Sequence, residues 1–342
     1  MNTPTPPSIP DVLVVGAGPS GLATAIAAKQ HGLEYAVIEK GVLVNSIFNF
    51  PTHMVYFTTP ELLEIGGLPL VTPFEKPTRL ESLRYYRRVV DTYGIQASFH
   101  REVTDIARQG DVFVVTTASV PPGSRRANGS EDRASWHARA VVLAIGYYDI
   151  PNSLGVPGEQ LPHVSHYFKE PHPYYRQRVV VVGGKNSAAE AALELFRAGA
   201  HVTLVHRRAT LGDSIKYWVR PDIENRIKEG SIAARFETHV VEIRPDVVVV
   251  DRGGVRDEIP ADGVLLLTGY RPDVDLMRRA GVRCDVETLA PELNPETFET
   301  NVPNLFIAGG AVAGRNTGSI FIENGRFHGE RIIKVLAERF SH

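Results

Sequence analysis

The order of apolar and polar positions is the same in two stretches of the chain, residues 11–40 and 178–208. Each stretch begins with a short apolar run and continues through a glycine-rich turn into an Ala/Leu-rich segment with helical spacing. A second apolar run followed by charged residues ends it. The pattern predicts a buried strand, a turn, a helix and a second strand. One supersecondary unit is therefore used twice.

Apolar runs elsewhere predict further strands, at 112–118, 138–146, 261–273 and 304–314. Helical spacing predicts a helix over 79–94 and one long helix over 319–340. Because strands of one sheet are joined by short connections, the second unit is most economically inserted into the first. The predicted fold is α/β with two Rossmann-like dinucleotide-binding domains, formed by residues 1–162 with 274–342 and by residues 163–273.

The first turn, "GAGPSG", predicts a site for the pyrophosphate of FAD. Gly16 permits the tight turn, Gly18 lets a phosphate approach the backbone, and Gly21 lets helix and strand pack closely. Glu39 lies 18 residues after Gly21, where a carboxylate accepts from a ribose 2′-hydroxyl and repels a 2′-phosphate. A solvated strand end is the alternative for Glu39. The other cofactor-binding candidates of this domain are Pro19, Ser20, Lys40, Gly146, Gly309, Gly310 and Asn324.

The second turn, "GGKNSA", differs from the first in two places. Lys185 stands where the middle glycine is expected, and the second apolar run ends in "HRR" at 206–208 with no acidic residue. Arginine suits a 2′-phosphate through forked, charge-assisted hydrogen bonds, so this site is predicted to bind NADPH; a solvated strand end is again the alternative. The candidates here are Gly183, Gly184, Lys185, Asn186, Ser187, Ala188, His206, Arg207 and Arg208.

Composition and charge limit the partners and the redox chemistry that the chain could have. The net charge is −2, and no long basic block predicts a nucleic-acid partner. The chain has no apolar run long enough for a membrane span and no signal peptide, so we expect a cytoplasmic protein. Its one cysteine, Cys284, excludes an intrachain disulfide, and its histidines match no metal-ligand spacing. Redox chemistry must therefore reside in bound cofactors: FAD and NADPH, with hydride passing from one to the other.

The sequence resembles the two-dinucleotide flavoproteins that include thioredoxin reductase. Four stretches make the resemblance more specific, namely "FPTHMVYFTTPELLEIGGLP", "GGKNSAAEAALEL", "SIKYWVRPDIENRIKEG" and "IFIENGRFHG". Together they are similar to the YpdA-type bacillithiol-disulfide reductase family. The resemblance implies an FAD enzyme that uses NADPH to reduce a small-molecule substrate, bacillithiol disulfide, as a homo-oligomer.

Two cysteines expected from these relatives are missing. The region before the second turn lacks the C-x-x-C pair of thioredoxin reductases. In YpdA-type relatives the first turn ends "GGGPCG" or similar, and Ser20 occupies the position of that cysteine, the proposed redox residue. A serine hydroxyl cannot form a mixed disulfide. The alternatives are therefore a flavin-dependent monooxygenase or NADPH oxidase, a ferredoxin- or quinone-type reductase, and a non-enzymatic redox sensor.

The catalytic candidates are Ser20, His53, Tyr56, Glu323 and His328. The helical segment that contains Glu323 and His328 could direct its N-terminal end at the flavin and stabilise negative charge there. His53 and Tyr56 lie on a Pro-bounded segment that could line the flavin face. A structural role is the alternative for each of the four residues other than Ser20.

Overall fold

The computed structural model describes residues 9–121, 124, 126–127 and 132–341. Contacts divide the chain into two compact units. Unit 1 takes its described residues from Met1–Asn49, Met54–Ile150 and Tyr270–His342, and unit 2 consists of Phe50–His53 and Pro151–Gly269.

The strands are β1 Val12–Val15, β2 Tyr35–Ile38, β3 Ala97–Ser98, β4 Arg101–Gln109, β5 Val112–Ser119, β6 Arg133–Ala138, β7 Ala140–Leu143, β8 Ile150–Pro151, β9 Val164–Ser165, β10 Arg178–Val182, β11 His201–Val205, β12 Ala233–Arg235, β13 His239–Ile243, β14 Val247–Arg252, β15 Val255–Pro260, β16 Gly263–Leu266, β17 Tyr270–Arg271 and β18 Leu305–Ile307. The α-helices are α1 Pro19–Gln30, α2 Asn45–Asn49, α3 Arg79–Tyr93, α4 Asn186–Arg197, α5 Arg220–Lys228, α6 Val274–Arg279, α7 Ile322–Gly325 and α8 His328–Phe340. Short 3₁₀ turns occur at Pro60–Leu62, His172–Tyr174 and Gly309–Ala313.

The two units have the same plan. In unit 1 a parallel sheet runs in the order β18–β7–β1–β2–β3, and an antiparallel sheet, β4–β5–β6, is inserted before β7. In unit 2 the parallel order is β12–β11–β10–β16–β9, and the antiparallel sheet β13–β14–β15 is inserted before β16. Each first strand, β1 or β10, is central, and apart from the exposed Arg178 at the start of β10 its residues are buried and apolar without alternation.

Helix packing in unit 1 depends on a close approach of α1 and α8. A Cβ on Gly329 would lie 2.6 Å from the Cα of Thr24, so the two helices meet at backbone distance. At α3, Thr78 and Glu81 form a reciprocal cap at the start, and Gly94 ends the helix in the left-handed conformation with φ 60°. None of the helices in the described ranges combines the length and the hydropathy that a membrane span requires.

The long helix predicted over 319–340 is two helices, α7 and α8. The side chain of Asn324 accepts from the backbone N–H of Phe321 at 2.8 Å and caps the start of α7. Arg326, at the break, donates to the backbone carbonyls of Glu61 and Glu64 instead of facing solvent along a continuous helix. These contacts with distant residues interrupt a pattern that is continuous in the sequence.

The segment 151–162, which the sequence assigned to the first domain, lies in unit 2. Its backbone bonds there: Asn152 N–H donates to Gly269 O at 2.9 Å, and Pro157 O accepts from Ile243 N–H at 2.8 Å. The short segment Phe50–His53 also belongs to unit 2, although the residues on both sides of it belong to unit 1.

Candidate dinucleotide-binding sites

The first glycine turn combines two crowded positions with one open position. A Cβ on Gly16 would lie 2.4 Å from Ala144 O, and one on Gly21 would lie 1.9 Å from Gly16 O. Neither position has room for a side chain, and Gly16 also has a positive φ of 110°. A Cβ on Gly18 would meet no atom within 4 Å. The space over Gly18 is therefore open, as the close approach of a pyrophosphate requires.

Helix α1 begins directly after this open position. Gly18 is its N-cap, Pro19 is its first residue, and no side chain caps its first amide groups. The free N–H groups and the positive end of the helix dipole favour an anion here. The turn and the helix together fit the pyrophosphate of FAD.

Glu39 is anchored against the same turn. Its side chain is buried, with 6% exposure, and its two carboxylate oxygens accept from Ala17 N–H and Gly41 N–H, both at 2.8 Å. Burial raises the pKa of Glu39, while the two amide donors lower it. Each oxygen keeps a further acceptor position for a ribose hydroxyl. Lys40, the next candidate, pairs with Asp149 at 2.9 Å.

Ser20 faces the turn after β18. A Cβ on Gly309 would lie 2.5 Å from Ser20 Oγ, and one on Gly325 would lie 3.3 Å from it. Gly309 N–H donates to His328 Nδ1 at 3.2 Å. The structure therefore brings together Ser20, Gly309 and the start of α8.

His328 is a buried neutral group. It is 6% exposed, and its ring stacks on Phe298 with 4.0 Å between ring centroids. Burial, aided by Arg331, lowers the pKa of His328 to about 4. Since Nδ1 accepts from Gly309, the ring proton is on Nε2. His328 holds the backbone of the turn, which is the role of a positioning residue.

Glu323 lies among tyrosines. It is half-buried, and its charge adds to the effect of burial in raising the pKa of Tyr56 and of Tyr147. Tyr56 is buried and donates to Ser82 Oγ at 3.1 Å, which makes it part of the packing. Asn324, a cofactor-binding candidate, uses both ends of its amide to bond Phe321 N–H and Ser319 O.

Tyr147 is a residue that the sequence did not single out. Its ring occupies the space over Gly310, where a Cβ would lie 2.6 Å from the ring carbon Cδ1. It directly follows Gly146, a candidate with φ 62° beyond the end of β7. An aromatic residue next to a glycine at the end of a buried strand is the signal that could have identified it.

His53 does not join the other catalytic candidates of unit 1. It is exposed and belongs to unit 2, where its charge lowers the pKa of Glu194 on α4 against the larger raising effect of burial. Tyr56 belongs to unit 1. The two candidates on the Pro-bounded segment are thus divided between the units.

In the second glycine turn, other residues occupy the space next to the glycines. A Cβ on Gly183 would lie 2.6 Å from Leu267 O, and one on Gly184 would lie 2.3 Å from the ring of His206. Lys185 is the exposed N-cap of α4, so a side chain is accommodated where unit 1 has an open glycine. Ala188 is buried against Gly183, and Ser187 is exposed.

Asn186 holds a neighbouring loop onto this turn. Its Nδ2 donates to Ser214 O at 2.9 Å and its Oδ1 accepts from Lys216 N–H at 2.9 Å. Both ends of the amide are thereby used within the protein. Asn186 therefore holds this loop against the turn.

Two guanidinium groups follow β11. Arg207 and Arg208 are exposed, and neither forms an ion pair with any residue that the structure describes. His206 before them is half-buried, and burial, followed by the charges of both arginines, lowers its pKa. The end of β11 therefore carries positive charge that no described carboxylate neutralises, which fits a 2′-phosphate.

Comparisons with known proteins agree with this arrangement. Residues 13–309 match the family described as pyridine nucleotide-disulphide oxidoreductase. The chain is 43% identical over 333 residues to the bacilliredoxin reductase Bdr of Bacillus subtilis (strain 168), covering 96% of this chain and 98% of that protein. The predictions of an oxidoreductase and of FAD and NADPH as its cofactors are confirmed.

Solved structures of proteins similar to this chain come from the same kind of reductase. The bacillithiol disulfide reductase Bdr (YpdA) from Bacillus cereus has a TM-score of 0.92 at 41% identity, covering 97% of this chain and 100% of that chain. The bacillithiol disulfide reductase Bdr (YpdA) from Staphylococcus aureus has a TM-score of 0.89 at 37% identity, covering 97% of this chain and 99% of that chain. The resemblance to the YpdA-type family and the predicted fold are confirmed.

Proposed function

Because this chain belongs to the pyridine nucleotide-disulphide oxidoreductase family and uses FAD and NADPH, we propose that it reduces bacillithiol disulfide without a thiol of its own. The overall reaction is NADPH + H⁺ + RSSR → NADP⁺ + 2 RSH. When bound, NADPH supplies the hydride and FAD supplies a two-electron carrier. The observation that carries the proposal is the residue at position 20, which is serine in a chain otherwise similar to disulfide reductases.

Unit 1 holds FAD in this proposal. The open backbone at Gly18 and the uncapped start of α1 bind the pyrophosphate, and Glu39 accepts from a ribose hydroxyl. Gly309 and Gly310 leave room for the side chains of Ser20 and Tyr147 after β18, and the space over Gly146 after β7 is open. His328 fixes Gly309 through its hydrogen bond.

Unit 2 holds NADPH. The start of α4, which no side chain caps, binds the pyrophosphate, and Lys185 adds a cation at that turn. Arg207 and Arg208 bind the 2′-phosphate and thereby discriminate against NADH. His206 fills the space over Gly184 and fixes the approach of the two arginines.

The chain's one cysteine does not replace the missing thiol. Cys284 lies in an antiparallel bridge with Pro291, and its Sγ is 3.8 Å from Val282 O. Burial raises the pKa of the Cys284 thiol, which disfavours the reactive thiolate. The substrate disulfide is therefore reduced without a mixed disulfide to the protein.

The reaction consumes one proton in addition to the hydride. We assign its supply to Glu323, which is half-buried beside Tyr147, the residue packed on Gly310. His328 is buried and neutral and is not suited to this task. Tyr56 supports the site by packing.

The serine also favours a second candidate, an acceptor that is not a disulfide. A quinone, an iron–sulfur protein or oxygen accepts electrons without requiring a protein thiol. Anaerobic stopped-flow measurements on the purified FAD-loaded protein separate the candidates. We expect NADPH to remove the flavin absorbance and bacillithiol disulfide to restore it under argon, with two thiols formed for each NADPH.

Restoration only by oxygen or a quinone would contradict disulfide reduction. The matched variant is Ser20→Cys, since Ser20 Oγ already lies at the turn near Gly309. Mass spectrometry after mixing with the disulfide should find a bacillithiol adduct on the variant and none on the wild type. An adduct on wild-type Cys284 would overturn the thiol-free proposal.

We also propose that the protein acts in the cytoplasm, as expected from its sequence, and as a homo-oligomer, as the YpdA-type resemblance implies. Sedimentation velocity of the FAD-loaded protein should give a species larger than one chain. A monomer at all concentrations would remove the oligomer from the proposal and leave the reaction untouched.

A further inference from the structure

The connection from β11 to α5 lies at the ligand-binding edge of the unit 2 sheet. Residues 209–219 of this connection, "ATLGDSIKYWV", are called the clamp loop below. The loop follows Arg208 and the carboxyl end of β11, which is parallel to β10. Open parallel sheets bind ligands outside the carboxyl ends of their strands. The clamp loop is therefore on the edge where a dinucleotide of unit 2 binds.

Backbone hydrogen bonds fasten the clamp loop to the second glycine turn. Gly212 N–H donates to Gly184 O at 2.7 Å. The side chain of Asn186 bonds Ser214 O and Lys216 N–H, each at 2.9 Å. The loop is thus fixed to Gly184 of the turn and to Asn186, the first residue of α4.

Three buried apolar side chains also hold the clamp loop against the core of unit 2. Leu211, Ile215 and Val219 are 5%, 4% and 8% exposed and pack into the core of unit 2. Between these anchors, Tyr217 is 81% exposed and Trp218 is 40% exposed. Their rings meet edge to face, with 4.8 Å between centroids and 86° between planes. A rigid loop therefore presents an aromatic pair to the outside.

We propose that Tyr217 and Trp218 form the adenine-binding face of the NADPH site, with the Tyr217 ring stacked on the purine and Trp218 supporting it edge-on. The inference rests on the proposed binding of NADPH by unit 2. It extends that proposal to a subsite for the base.

The neighbouring charges select the adenosine half of the ligand. Arg207 and Arg208, the residues suited to the 2′-phosphate, directly precede the clamp loop. The 2′-phosphate and adenine are on the same ribose, so the base extends from these arginines along the loop. Lys185, exposed on the turn that the loop covers, adds a cation for the pyrophosphate. One ligand with a purine and several phosphates accounts for all of these groups.

The test is binding of adenosine 2′,5′-bisphosphate, which carries the base and the 2′-phosphate but no nicotinamide. Isothermal titration calorimetry on the oxidised FAD-loaded protein measures its Kd without any redox reaction. Loss of one stacked base typically weakens binding by about ten-fold or more. We expect Tyr217→Ala to raise the Kd by about ten-fold, and Tyr217→Phe to leave it within about two-fold of the wild type.

The matched control is Tyr175→Ala. Tyr175 is an exposed tyrosine of the same unit, with 56% exposure, and its ring packs on Gly199 before the amino end of β11, at the opposite edge of the sheet. Its removal should leave the Kd unchanged. A Tyr217→Ala protein with the wild-type Kd, or one changed only in its sedimentation, would overturn the inference.

A second readout uses the tryptophan itself. The chain has two tryptophans, so Trp136→Phe leaves Trp218 as the single tryptophan. The bisphosphate should quench its emission with the Kd that calorimetry gives, and unchanged emission at saturation would contradict the stacked face. If Arg207→Ala with Arg208→Ala abolishes binding while Tyr217→Ala does not, only this inference fails. If the wild type does not bind the bisphosphate at all, the assignment of NADPH to unit 2 fails with it.

Discussion

The two glycine turns follow one plan and differ at the helix position of the turn and in the exposure of the charged residues after the second strand. In unit 1, a Cβ on Gly21 would lie only 1.9 Å from Gly16 O. Glu39, which we call the selector of this site because it would distinguish a ribose hydroxyl from a 2′-phosphate, is buried. In unit 2, the corresponding helix position is already Ala188, and the selectors Arg207 and Arg208 are exposed. The first turn has no room for a side chain at its helix position, whereas the second accommodates Ala188 there and is followed by exposed positive charge.

This difference suits the two proposed ligands. A buried selector whose oxygens are fixed by Ala17 N–H and Gly41 N–H forms a preorganised site for a cofactor that stays bound. Exposed cations on flexible side chains suit a cofactor that must leave after each turnover, because they attract it without enclosing it. Exchanging residues between the turns tests this comparison.

The largest effect is expected from exchanging the helix positions. Gly21→Ala places a methyl group 1.9 Å from a backbone oxygen, which cannot move aside as a side chain could. We expect it to destabilise unit 1 by more than about 3 kcal/mol and to abolish FAD retention. Ala188→Gly in unit 2 should cost about 1–2 kcal/mol, from backbone entropy and lost burial. Urea unfolding and FAD content measure both; a Gly21→Ala protein with full FAD content would contradict the comparison.

The second prediction is that His328 and Glu190 make the stability of their units depend on pH in opposite directions. His328 of unit 1 has its pKa lowered to about 4, first by burial and then by Arg331. As pH falls from about 6.5 towards 4, the unfolded chain binds a proton that the folded unit does not, so stability is lost. Glu190 of unit 2 has its pKa raised to about 7 by burial and by Glu194, against a lowering effect of Lys216. As pH rises from about 4.5 towards 7, the unfolded chain releases a proton that the folded unit keeps, so stability is again lost.

Once the pH has passed both the folded and the unfolded pKa, each group lowers the free energy of unfolding of its unit by on the order of 3 kcal/mol. The tryptophans report the units separately, since Trp136 belongs to unit 1 and Trp218 to unit 2. Urea unfolding between about pH 5 and 8, in single-tryptophan variants, should show unit 1 weakening in acid and unit 2 weakening at higher pH. His328→Gln and Glu190→Gln should each flatten one curve only. Parallel curves for both units would contradict the prediction.

The glycine turns and the places of Glu39 and Arg207 after the second strand of each unit could be predicted from sequence, because each depends on residues close together in the chain. Gly16, Gly18 and Gly21 lie within one turn, and the positions of Glu39 and Arg207 follow from the length of one helix and one strand. The fold followed for the same reason, since each βαβ unit is local.

Contacts between distant residues could not be predicted. The bond from Gly309 to His328 exists only because β18 and α8 meet in the folded unit, and the sequence gives no sign that His328 is buried. The packing of Tyr147 on Gly310 joins two strands more than a hundred residues apart. The hydrogen bonds between Asn186 and the clamp loop depend on the path of that loop, which apolar periodicity does not determine.

The third prediction concerns the exposed selectors. Arg207→Ala with Arg208→Ala removes the charged partners of the 2′-phosphate, while a ligand without that phosphate loses little. We expect kcat/KM for NADPH to fall by about 100-fold, or about 2.7 kcal/mol, and that for NADH to change by less than about three-fold. Because both side chains are exposed, the urea midpoint should not move. If the ratio of kcat/KM for NADPH to kcat/KM for NADH does not change, Arg207 and Arg208 do not select NADPH.

The smallest effect is expected at the middle position of the turns. Lys185 is exposed and interacts with a phosphate as a mobile point charge, so Lys185→Ala should raise the KM for NADPH by about three- to ten-fold without changing stability. At Gly18 a methyl group would meet no protein atom within 4 Å, so Gly18→Ala should also leave the folding of unit 1 intact. It should nevertheless weaken FAD retention, because the methyl group occupies the space that the pyrophosphate needs. Equal FAD content in Gly18→Ala and wild-type protein, measured after gel filtration, would show that the first turn does not hold its ligand by close approach.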